Sequence, residues 1–116
     1  MTLPEEGYLL RIFTGESDKM DGKLFYEWLV AEAKARGMAG ATVLRGMMGF
    51  GGHSRVIHTF KIERLSEDLP IVMEIADSKD KIEDFLAYAE GRIKRGMLAT
   101  VEKVQVHVYS GGEPGK

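Results

Sequence analysis

A chain of 116 residues with 44% hydrophobic and 29% charged content has the size and composition of one compact domain with a real core. Its formal net charge of −2 supplies no global field toward nucleic acid or an anionic membrane. It has no cysteine, which excludes disulfides, zinc-thiolate sites and thiol nucleophiles, and no apolar run of about 18 residues that could span a bilayer. With no signal-peptide pattern either, a cytoplasmic protein without membrane insertion is expected.

The ends, "MTLPEEG" and "SGGEPGK", are polar and carry Pro or Gly, which predicts frayed termini at 1–6 and 110–116 around a single domain. "YLLRIF" at 8–13 is β-rich and apolar and predicts a mostly buried strand. "TGESDKMDG" reads as a loop, with Asp21 placed to N-cap a helix. Leu24, Phe25, Trp28, Leu29, Ala31 and Ala35 recur near helical spacing through Arg36, and Gly37 reads as the stop. "ATVLRGMM" suits a second strand. "VIHTFKIERL" reads as extended or partly ordered, and "LPIVMEIAD" at 69–77 as a continuous apolar strand.

A second helix is predicted to begin near Ser78. Ile82, Phe85, Leu86, Ala89 and Ile93 form its apolar stripe, Lys94 and Arg95 its last turn, and Gly96 its end. In the last strand, at 97–109, Met97, Ala99 and Val101 are apolar at odd positions, then Val104, Val106 and Val108 at even ones. That slip predicts a bulge or bend near Glu102 and Lys103. The order β-α-β-β-α-β is the α+β, ferredoxin-like arrangement: a four-stranded antiparallel sheet with two helices on one face. The other face has no helix, and a homo-oligomer is its simplest cover.

The segment "RGMMGFGGHSRVIH" breaks this regular pattern. Gly46, Gly49, Gly51 and Gly52 serve a sharp turn on one reading. On the other they let backbone N–H groups approach an anion. The flanks favour the anion, because Arg45, Arg55, Lys61 and Arg64 are opposed only by Glu63. The sequence has neither a Walker-type loop nor a dinucleotide fingerprint. His53 and His58 have a spacing that fits no standard zinc pattern, with Glu63 or Asp68 as partners and His107 on the last strand. Ser54 beside His53 and His58 is the only local nucleophile–base candidate, and sequence neighbours rarely hold that geometry. Asp77, Asp80, Glu83 and Asp84 suit a helix start and a solvated face. Tyr26, Trp28, Phe85 and Tyr88 suit helix packing.

"ATVLRGMMGFGG" resembles the second strand and loop entry of the PII signal-transduction proteins, through Thr42-Val43 and Gly49-Phe50-Gly51. "PIVMEIADSKDKIEDFL" resembles their third strand and second helix, with Glu74 at a strand acid. Longer stretches, "GESDKMDGKLFYEWLVAEAKARGMAGATVLRGMMGFG", "IHTFKIERLSEDLPIVMEI" and "LATVEKVQVHVY", look like a small PII-like family of unknown function. The resemblance implies a homotrimer with inter-subunit clefts, a mobile loop at about 49–64, and an adenine nucleotide (AMP, ADP or ATP) as effector with no obligatory cofactor. It implies a signalling regulator rather than an enzyme. Some relatives accompany fluoride-exporting channels, so the partner expected is a membrane transport or channel protein.

The matched residues are Thr42, Gly49, Phe50, Gly51 and Glu74. Arg45, Gly46, Gly52, His53 and Arg55 join the candidate ligand set for backbone freedom, charge and proximity. The chain also departs from PII proteins. In place of a glycine-rich phosphate loop after the second helix it has "EGRIKRGMLAT", where Arg92, Lys94, Arg95 and Gly96 are the residues that could replace it. "VQVHVYSGG" lacks the arginines near the PII C-terminus, and no Tyr between Gly49 and Leu69 could be modified. Two alternatives stand beside the regulator: a metal-binding trimer using His53, His58 and His107, and a small phosphoester hydrolase using Arg55.

Overall fold

The computed structural model describes residues 6–50, 69–93 and 97–109. Its strands are β1 (Glu6–Gly15), β2 (Lys19–Met20), β3 (Lys23–Leu24), β4 (Thr42–Arg45), β5 (Pro70–Asp77) and β6 (Leu98–Gln105). Its helices are α1 (Phe25–Ala35) and α2 (Lys79–Glu90). Among the described residues the main sheet has four strands in the order β4-β5-β1-β6, every pair antiparallel. This is the ferredoxin-like arrangement, with one small hairpin, β2–β3, inserted before α1.

Alternation along the central strands divides the sheet into two faces. Leu10 and Ile12 of β1 and Ile71, Met73 and Ile75 of β5 are buried on one face. They share a single core with Phe25, Leu29 and Ala33 of α1 and Ile82, Phe85 and Ala89 of α2. Both helices therefore cover this face. Leu9, Arg11, Phe13, Val72, Glu74 and Ala76 take the other face and are only half-buried. The strand read as continuously apolar thus alternates in burial from Pro70 to Asp77.

Four expectations are corrected. Asp21 does not cap α1. It sits with Gly22 in the β2–β3 turn, at φ 51° and 82°, the paired left-handed geometry that Asp-Gly favours in tight hairpins. Position N-cap is Leu24, which makes no side-chain cap bond, and the Phe25 N–H donates instead to the Asp18 carbonyl at 2.7 Å. The second helix ends at Glu90 with Gly91 as C-cap, before Lys94 and Arg95, which with Gly96 lie outside the described residues. β6 pairs with β1 in unbroken register from Leu98 opposite Phe13 to Gln105 opposite Glu6, so no bulge interrupts it at Glu102 or Lys103.

Asp77 is the fourth, because it does not serve a solvated face. It is fully buried and accepts the Ala39 N–H at 2.8 Å and the Ser78 N–H at 2.6 Å. Two backbone donors satisfy its oxygens, the condition for burying a carboxylate. Lys81 adds a second tie by donating to the Gly37 carbonyl at 2.7 Å. Gly37, at φ 76°, closes α1 as its spacing predicted. The connection from α1 to β4 is thus fastened to the β5–α2 corner, which fixes where β4 begins and where its far end, Arg45, emerges.

Candidate functional site

Four of the candidate ligand residues, Arg45, Gly46, Gly49 and Phe50, stand at or just after the end of β4. The Gly46 N–H donates to the Pro70 carbonyl at 2.7 Å, and the Glu16 N–H donates to the Leu69 carbonyl at 2.8 Å. These two bonds draw together the chain leaving β4, the chain entering β5 and the turn after β1. A Cβ on Gly46 would lie 2.8 Å from Pro70 Cγ, and Gly49 adopts φ 152° against the same ring. Both glycines therefore serve close approach and backbone freedom at the strand end. Met47 between them and Phe50 after them are 86% and 73% exposed. Gly51, Gly52, His53 and Arg55, with the other basic residues of 51–68, lie outside the described residues, as do Ser54 and His58.

Register separates the other candidates. Arg45 stands opposite Ile71 on the helix-covered side, whereas Thr42 stands opposite Glu74 on the open face. Arg45 Nε lies 3.6 Å from Glu16 Oε2. Glu74 is engaged by Arg11, whose Nε donates to Glu74 Oε2 at 2.9 Å and whose Nη1 donates to Glu102 Oε1 at 2.7 Å. The bonds to Glu74 and then to Glu102 hold the Arg11 guanidinium above its ordinary pKa. The open face thus carries a charge cluster at its centre, surrounded by Leu9, Phe13, Leu44, Val72, Leu98 and Val104.

Arg92 is held on the helix layer. Its guanidinium carbon sits 4.3 Å from the Tyr88 ring centroid and 6.0 Å from that of Trp28, and Nη1 donates to the Tyr88 carbonyl at 3.0 Å. Arg36 stacks on Tyr88 at 3.5 Å, and Trp28 stacks on Tyr88 at 6.1 Å. The helix aromatics are packing residues, as their positions predicted. His107 is exposed, and among the described residues no group of three or more metal-ligating side chains gathers. No described helix is long and apolar enough to cross a membrane. A concavity of about 400 Å³ at the start of α2 is lined by Glu6, Tyr8, Lys79, Asp80 and Lys103, with both charge signs represented.

Sequence reasoning missed Glu16, Pro70, Arg11 and Glu102. Pro70 was legible only as part of the strand at 69–77, and the partners of Arg11 lie 63 and 91 positions away. The register of the sheet, not any local motif, brings these groups together.

A UPF0166 protein of Aquifex aeolicus is 44% identical over 98 residues, covering 84% of this chain and 90% of its own. One from Methanocaldococcus jannaschii is 35% identical over 103 residues, covering 89% and 92%. A PII-like signalling protein structure from Thermus thermophilus superposes with TM-score 0.59 at 25% identity, covering 87% of this chain and 89% of that one. CPII from Thiomonas intermedia, a nitrogen regulatory PII-like protein solved with ADP, AMP and acetate, superposes with TM-score 0.62 at 16% identity, covering 93% and 94%. The fold is therefore PII-like. The family model described as "Uncharacterized ACR, COG1993" (DUF190) matches residues 7–106, so the chain belongs to the DUF190 family.

Proposed function

We propose that the protein is a homotrimeric PII-like regulator that binds a small anionic effector, an adenine nucleotide, in clefts between its subunits. Effector binding reorders the basic glycine-rich segment 49–64 and so controls a partner, a membrane transport or channel protein. The protein acts in the cytoplasm by binding rather than by turnover and has no obligatory cofactor.

One observation carries the nucleotide reading. Arg45, whose side chain makes no hydrogen bond of ordinary length among the described residues, stands at the base of a basic glycine-rich segment. It does so in a fold that, in CPII, is found with ADP and AMP. Fold alone does not assign a ligand, so the arginine and the loop stem matter as much as the superposition. The open face supports assembly, since half-exposed Leu44 and Leu98 flank its charge cluster.

Thermal denaturation with AMP, ADP and ATP tests the reading. An effector at a hundred times its Kd stabilises by about 2.7 kcal/mol, and Arg45→Ala should reduce that response. Absence of a shift with all three nucleotides would refute the assignment. Sedimentation velocity tests the trimer separately, and release of phosphate from any of the three would contradict action without turnover.

A further inference from the structure

The two strand arginines differ in how they are held. Arg11 makes two short charge-assisted bonds, at 2.9 and 2.7 Å. Among the described residues Arg45 has one carboxylate within ion-pair reach, Glu16, at 3.6 Å. That separation exceeds the 2.7–2.9 Å usual for such bonds, about 2.8 Å at the centre of the range. The Arg45 side chain is 55% exposed and that of Glu16 only 25%. Among the described residues, an exposed guanidinium without a short charge-assisted bond therefore rests against a partner that is itself fixed. Glu16 is fixed because its backbone N–H bonds to Leu69 at the root of β5, independently of its side chain.

We infer that Glu16 is the internal competitor of the anionic effector for Arg45. The inference rests on the nucleotide reading of the loop stem and adds the residue that sets its affinity. The empty state keeps Arg45 loosely neutralised. A phosphate group, with more charge and three acceptor oxygens, takes the planar fork of the guanidinium in the bidentate geometry that Glu16 does not supply. Binding then releases Glu16 from Arg45 while the Glu16 backbone stays on Leu69. Affinity is thus the difference between two anions competing for one cation.

Isothermal titration with ADP, at one fixed ionic strength near 0.1 M because exposed charges are screened, tests the inference. Glu16→Gln preserves size and the backbone bond but removes the competing charge. It should tighten ADP binding about two- to five-fold, the scale of an exposed ion pair. In an Arg45→Ala background, Glu16→Gln should leave the Kd unchanged. Unfolding midpoints of every variant confirm that the compared proteins are folded.

If wild type binds ADP and Glu16→Gln binds equally or less tightly, the competitor inference falls and the nucleotide reading stands. If Arg45→Ala binds like wild type, Arg45 is not the contact and the inference falls with it. Binding by Glu16→Gln where wild type shows none supports the inference strongly. Absence of ADP binding by both proteins overturns the inference, and the nucleotide reading falls with it when AMP and ATP also fail to bind.

Discussion

Asp77→Ala should be among the most damaging single substitutions outside the apolar core. The side chain is fully buried and accepts two backbone N–H groups, from Ala39 and from Ser78. Truncation leaves both donors without their acceptor. A buried donor left unsatisfied costs about 1–3 kcal/mol, so the pair predicts a loss of about 3 kcal/mol after partial relaxation. For 116 residues, the usual unfolding entropy per residue makes that a fall in Tm of roughly 12 °C. Asp77→Asn should lie between wild type and alanine. Its carbonyl oxygen keeps one N–H, but its amide turns a donor toward the other. Urea unfolding followed by circular dichroism, at one protein concentration so that assembly does not confound the comparison, gives both differences. A loss below about 1 kcal/mol for alanine would refute the view that these two bonds hold the α1–β4 connection. So would asparagine matching wild type. On the proposed function the same substitution should also weaken nucleotide binding, because that connection sets where β4 begins and so where Arg45 stands.

Gly7→Ala should destabilise by about 1–3 kcal/mol, since the added Cβ would lie 2.5 Å from the Asp77 carbonyl oxygen, which is backbone and cannot step aside; thermal unfolding reads the loss directly. Ser78→Ala removes the acceptor for the Lys81 N–H, a 3.3 Å bond, and should cost about 0.5–1 kcal/mol by the same melt. Leu98→Asp and Leu44→Asp place charge among the apolar side chains of the open face, and sedimentation velocity should then find a folded monomer if that face joins the subunits. Arg11 has a folded pKa raised by Glu74 and Glu102, so its contribution is complete below the unfolded value and is lost only as pH rises through the folded one. Both values are very alkaline, and the stability difference between wild type and Arg11→Gln should stay flat from about pH 7 to 10.

Much of the fold was legible because burial on one side of an element leaves a period in the sequence. Ile82, Phe85 and Ala89 fall on one helical face, and all three are buried. Gly37 stops α1 because its backbone turns left-handed there, a conformation that needs no long-range knowledge to anticipate. Asp21 was misread although its signal was present: Asp-Gly between Met20 and Lys23 is a hairpin turn, and the two-residue strands on either side were too short to show alternation. The candidate site was legible only in part. Gly46, Gly49 and Arg45 announce themselves at the end of a strand, but Glu16 reaches Arg45 from 29 positions upstream, where the turn after β1 bonds to Leu69. Asp77 was misplaced for a related reason. A carboxylate at a helix start usually points to solvent, whereas here it is buried and accepts the Ala39 N–H from the α1–β4 connection.

The alternation slip in β6 marks a change of covered face, not a fault in the strand. Ala99 and Val101 stand opposite Ile12 and Leu10, on the side that the helices cover. Two residues further on, Lys103 takes that side, opposite Tyr8 and 3.9 Å from Glu6, beside the concavity at the start of α2. The helix layer no longer covers the sheet there, so a charged residue is tolerated. Apolar character passes to the other face at Val104, opposite Gly7, and continues with Val106, whose Cγ2 would lie 2.7 Å from a Cβ on that glycine. A backbone bulge and a change of covered face leave the same shift of parity in the sequence, and unbroken pairing with β1 decides between them. The change of face also extends the apolar surround of the Arg11 cluster to the far corner of the open face. If that face joins the subunits as proposed, Val104→Thr should weaken assembly more than folding, and paired sedimentation and unfolding measurements would separate the two effects.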